Sequence, residues 1–144
     1  MKIVALVGLA IICGAVPLAA CAEGPGLGEC RYRASFNCAK ADDAASRAIC
    51  TTPNLLSADC AMGYAYRDAR DWPGANRTDS LRKEQRHWVR MRDVACARHP
   101  VSERAACLTA ETERRLGWLI SHYKLPVAGK VYENFGGAAE SKPE

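Results

Sequence analysis

The sequence predicts a small all-α domain, a disulfide-stapled bundle of three to four helices, and three observations carry that expectation. Between residues 42 and 123 apolar residues recur at helical spacing. Proline, glycine and capping side chains stand where helices of that spacing should start and stop. Eight cysteines in 144 residues point to covalent staples in an oxidising compartment, on which small domains with modest cores rely.

The first element is a leader. Met1-Lys2 gives a minimal basic start, residues 3–15 are apolar, and Gly14 and Pro17 interrupt them, so residues 1–20 read as a lipoprotein signal peptide rather than a spanning helix. Leu18-Ala19-Ala20-Cys21 has the form of a bacterial lipobox, in which the cysteine thiol is acylated and becomes the new N-terminus. Ordinary secretory cleavage at the small residues around Ala20 is the competing expectation. Cysteine parity favours neither, since setting aside Cys13 and Cys21 leaves six of the eight. Lipidation of Cys21 is the more specific pattern because it fixes four adjacent positions, and it places the protein in the bacterial cell envelope. Residues 21–28, rich in Gly and Pro, form a flexible tether.

The helical domain covers residues 29–124. Asp42 or Asp43 starts a short helix that ends near Cys50, with Ala44, Ala45, Ala48 and Ile49 on its apolar side. Thr52-Pro53 opens a second helix as cap and first helical residue, with Leu55, Ala58, Met62 and Tyr66 on one face and Asp59 beside it, placed to cap or to pair with an arginine. Residues 71–76, Asp-Trp-Pro-Gly-Ala-Asn, break into a turn. Thr78 or Asp79 caps a third helix, whose face carries Leu81, Gln85, Trp88, Met91, Arg92 and Ala95. His99-Pro100 stops it, and Ser102 caps a last helix running to Tyr123, with Cys107 or Leu108, then Leu116, Leu119, Ile120 and Tyr123 on its apolar stripe and a Glu111–Arg115 pair on its surface. Residues 125–144, rich in Gly, Ala, Lys and Glu, read as a disordered tail.

Six cysteines allow fifteen connectivities, and chain geometry favours one. Cys38 and Cys50 bracket the first helix, Cys96 and Cys107 bracket the last turn, and Cys30 and Cys60 remain. No Cys-x-x-Cys or Cys/His pair at ligand spacing is present, so neither a metal nor another cofactor is expected.

The run Ser35-Phe36-Asn37-Cys38-Ala39-Lys40-Ala41, followed by Ile49-Cys50, Leu55 or Leu56, Asp59 and Tyr66, resembles the first half of the LprI-like lysozyme-inhibitor lipoprotein domain family. Leu81, Gln85, Trp88, Arg92, Cys96, Cys107-Leu108 and Arg115 follow in register, so the resemblance spans residues 35–119. It implies a secreted, often lipid-anchored helical domain that binds lysozyme. Two departures stand out: Thr112 replaces a usual tyrosine, and Cys30 and Cys60 are additions.

No catalytic constellation accompanies these motifs. Glu84 and His87 lie three apart but lack a nucleophile, and there is no Gly-rich phosphate loop or nucleophile elbow. A binding protein is therefore expected rather than an enzyme, with lysozyme or another envelope protein as partner. The alternative is a structural or adaptor lipoprotein that docks a protein or wall polymer without inhibiting lysozyme. Residues 67–92 hold eight basic against four acidic side chains, an excess that could attract anionic lipid, polysaccharide or nucleic acid. Such runs are usually solvated faces, however, and a secreted location makes nucleic acid an unsuitable partner. The net charge of +4, or +3 once Lys2 leaves with the leader, offers no attraction to a cationic lysozyme. If the domain inhibits one, the turn bearing Trp72 and Asn76 and the corner at 98–102 are the expected contacts. The sequon Asn76-Arg77-Thr78 is a chance match in such a protein.

Overall fold

Side-chain caps and prolines set the helix limits. In the computed structural model, which describes residues 29–71, 78–128 and 130–133, α1 spans Ala44–Thr51 and is opened by Asp43. The Asp43 carboxylate accepts the N–H groups of Ala45 and Ser46 at 2.8 and 2.9 Å, and the Asp43 N–H donates to Ser46 Oγ. This reciprocal box satisfies the free donors of the first turn. Pro53 then opens α2 (Pro53–Asp71), followed by α3 (Thr78–Ala97) and α4 (Val101–Tyr123). Short 3-10 turns occupy Glu29–Arg31 and Cys38–Lys40 ahead of them. Among the described residues there are four α-helices and no strand, the predicted class.

The central interface joins α2 and α4. Ala58, Ala61, Ala65 and Ala69 of α2 are all fully buried at spacings that form one low ridge, so α4 approaches closely and seats Leu116, Leu119 and Ile120 there. A second, smaller cluster gathers Ala34, Ile49, Leu55, Cys96 and Leu108. Disulfides Cys30–Cys60, Cys38–Cys50 and Cys96–Cys107 are the pairs that chain geometry favours.

Four expectations need correction. The buried face of α3 is Leu81, Gln85, Arg92 and Cys96, with Trp88 half-buried; Met91 is 53% exposed and Ala95 also faces solvent. The Cys96 bridge and the partners of Gln85 and Arg92 on α4 fix that rotation. α4 starts at Val101 behind Pro100, with no side-chain cap, so Ser102 lies inside the first turn. Arg115 does not pair with Glu111, which bonds Arg114 instead; Arg115 turns inward to Glu84. The chain also stays packed past residue 124. Lys124 adopts the left-handed conformation (φ 51°) and the Leu125 N–H bonds the Ile120 carbonyl at 3.0 Å, a helix closure that turns the chain back. Leu125, Val131 and Tyr132 are buried in the main core. The expected disordered tail is thus, to residue 133, part of the domain; its remainder, like Cys21, the leader and tether, and Trp72 and Asn76, lies outside the described residues.

Candidate functional site

Bonds between the third and fourth helices hold four polar residues in the interior. The Arg115 guanidinium donates through Nε to Gln85 Oε1 at 2.9 Å and through Nη1 to Glu84 Oε1 at 2.8 Å. Its third nitrogen, Nη2, is buried with no hydrogen-bond partner among the described residues. Two indole faces flank the group, Trp118 at 4.2 Å and Trp88 at 5.7 Å from the guanidinium carbon, and such faces attract a desolvated cation. Arg92 also lies near Trp88, 5.0 Å from its ring. It bonds Asp93 at 2.8 Å and reaches Thr112 Oγ1 at 3.4 Å. A buried cation costs several kcal/mol unless it is paired, so Glu84, Gln85, Trp88, Asp93 and Trp118 are what permit Arg92 and Arg115 to sit inside. Thr112 is completely buried and its hydroxyl faces Arg92.

This network backs a groove of about 620 Å³ between residues 33–36, α1, α2 and α3. Phe36, Asp59, Tyr66, Gln85 and Arg92 all line it, so motif residues scattered over 57 positions converge on one surface. Leu81 is core, and Trp88 and Arg115 stand behind the wall. Asp59 is buried and, contrary to the expected arginine pairing or capping, accepts the Ser35 N–H at 2.7 Å. That bond fastens the 33–36 segment along α2.

Gly63 makes the fastening possible, because a Cβ there would lie 2.6 Å from Ser35 Cβ. Sequence reading passed over Gly63, although an interior helix glycine costs up to about 1 kcal/mol and so flags a close approach. Gly63→Ala should destabilise the domain by about 1–3 kcal/mol and loosen the 33–36 wall. Hydrogen exchange at the Ser35 amide reports the second effect directly, and unchanged protection there would refute it.

Also missed were Asp42, Asp43 and Asp93, which line the groove beside Arg33, Lys40 and Arg67. Ser46, through its N–H and its hydroxyl, holds the Asp43 carboxyl below the usual carboxylate range. A carboxylate so engaged is a poor proton donor. Arg67 lies 4.0 Å over the Tyr64 ring on the rim. Glu84 is committed to Arg115, and His87 is exposed, so the pair in the sequence is no acid/base device. Four cations and four carboxylates thus line the groove, together with Phe36, Tyr64 and Tyr66.

The comparisons with known proteins agree with the motif reading. No curated protein and no solved structure matches the chain. The model of the family described as lysozyme inhibitor LprI matches residues 38–119, more than half of the sequence. This chain belongs to the LprI lysozyme inhibitor family.

Proposed function

We propose that this protein is a non-catalytic inhibitor of lysozyme, held in the bacterial cell envelope by lipid on Cys21, where it protects the wall of its producer. The observation that carries the reading is the convergence of Phe36, Asp59, Tyr66, Gln85 and Arg92 on one groove in a chain whose family is defined by lysozyme inhibition. No described helix is long and apolar enough to cross a membrane; in this reading, lipid on Cys21 provides the attachment.

The groove also resolves the charge difficulty. A net positive domain repels a cationic enzyme at long range, whereas the groove carries Asp42, Asp43, Asp59 and Asp93 against Arg33, Lys40, Arg67 and Arg92. That balance removes repulsion at the contact itself. The 98–102 corner suits such a partner less well, since Arg98 and Arg104 stand there against Glu103 alone. We therefore place the contact at the groove.

Muralytic activity measured over a panel of lysozymes, with the oxidised processed protein in molar excess, tests the reading. At least one lysozyme should lose activity, and added salt should leave inhibition unchanged or slightly stronger, because screening removes repulsion. Asp42→Lys should weaken inhibition about tenfold by setting like charges together, without altering the melting temperature. Full activity of every lysozyme tested would favour the adaptor reading instead.

A further inference from the structure

The solvent side of α3 is unlike the rest of the surface. Lys83, Arg86 and Arg90 follow one another at helical spacing, all exposed, and none forms an ion pair among the described residues. Arg82 adds a fourth cation, held by Asp79 at 3.2 Å. Further along the helix come Met91 (53% exposed) and Val94 (52%), and Val101 (77%) follows across the turn; they are three of only five large hydrophobics exposed among the described residues. Exposed cations are therefore followed by exposed apolar side chains over the solvent side of α3 and the start of α4, and Asp93 marks the edge toward the groove.

We propose that this flank of α3 seats the domain on an anionic lipid surface. The observation goes beyond lysozyme inhibition and does not depend on it. A soluble polyanion would satisfy the cations but leave Met91, Val94 and Val101 in water. A bilayer surface takes both, phosphates on the cations and the apolar tips at the headgroup boundary. A cationic enzyme is repelled from this flank and would find the groove still open beside it.

Chain length fits the arrangement. Residues 21–28 span at most about 28 Å when extended, so an acyl group on Cys21 would keep the domain within contact range of the membrane. Binding by the flank alone is then free to be modest, because tethering raises the effective concentration. Docking would also hold the groove in a fixed orientation above the bilayer.

The test uses the processed chain carrying Cys21→Ser, so that no acyl group contributes. Its partitioning is measured by co-sedimentation with phosphatidylcholine vesicles and with vesicles of phosphatidylcholine and phosphatidylglycerol at roughly three to one. Binding should require the anionic lipid and fall as salt is raised. Each cation near such a surface contributes about fivefold (about 1 kcal/mol), so the triple variant Lys83→Gln, Arg86→Gln, Arg90→Gln should bind about 100-fold more weakly. Met91→Ser with Val94→Ser should also weaken binding. A control with Arg31→Gln, Arg47→Gln and Arg114→Gln removes the same charge from other exposed positions and should change it only a few-fold. All six cations are exposed, so melting temperatures should hold. Equal binding to neutral vesicles, or an equal loss in the control, overturns the proposal. Dextran sulfate binding as strong as vesicle binding and indifferent to the Met91 and Val94 changes overturns it in favour of a soluble polymer.

Discussion

Reducing the three disulfides should unfold the domain at 37 °C. The bridges close 30, 12 and 11 residues of sequence, and the chain-entropy model gives about 3–4 kcal/mol for the first and about 3 for each of the others. Cys38–Cys50 lies within the Cys30–Cys60 loop, so the values do not simply add. Even so, their combined effect rivals the whole stability of an ordinary domain, about 5–15 kcal/mol. The core cannot compensate: the central ridge of α2 is alanine, and the second cluster is only five residues. Cys30 and Cys60 are themselves buried at the main core, so their loss also removes packing. Cys30→Ser with Cys60→Ser should lower the melting temperature by about 15 °C or more, and by more than the Cys96 and Cys107 pair of substitutions. Helical circular dichroism followed during heating, with and without a phosphine reductant, decides the matter. A reduced protein that melts within a few degrees of the oxidised one would show that packing alone holds the bundle.

The helices and their staples were legible because their signals are local. Asp43 caps the turn it precedes, Pro53 fixes the start of α2, and the cysteines bracket one helix or one turn. The interior of the site was not legible in the same way. Periodicity treats Arg115 as a surface residue and pairs it with Glu111 four positions away, whereas its partners are Gln85 and Glu84, 30 and 31 positions away. Met91 looked like core for the converse reason. An apolar residue on a helix is read as inward unless something else fixes the rotation, and here Cys96 and Arg92 do. The family motif named Phe36, Asp59, Tyr66, Gln85 and Arg92, but only the tertiary fold shows that they share a groove. Asp42 and Asp43 read in the sequence only as helix-starting residues, and Asp93 and Gly63 fall in no motif, so the fold alone assigns the four to the groove.

Tyr132→Ala should cost about 3–5 kcal/mol, the ordinary penalty for removing a fully buried aromatic, in a segment whose composition reads as a loose tail. Tyr132 has no exposed surface and packs in the main cluster with Leu125 and Val131. Its hydroxyl donates to Asp68 Oδ2 at 2.7 Å, and Lys130 Nζ stands 3.0 Å from the same oxygen. Composition hid this because three apolar side chains among many small and charged ones are enough to dock a short segment, yet too few to form a periodic pattern. Tyr132→Phe keeps the ring and should cost only about 1 kcal/mol. The two variants therefore separate burial from the hydrogen bond. Burial, then the Asp68 hydrogen bond and charge, push the tyrosine pKa up. The unfolded chain thus releases this proton first, near pH 10. Stability from this group is complete below that pH and declines as pH rises above it. Wild type should consequently lose more stability than Tyr132→Phe on going from neutral to strongly alkaline solution. Urea titrations of the three proteins at neutral and alkaline pH measure both effects. A Tyr132→Ala protein as stable as wild type would mean that residues 125–133 contribute nothing to the domain.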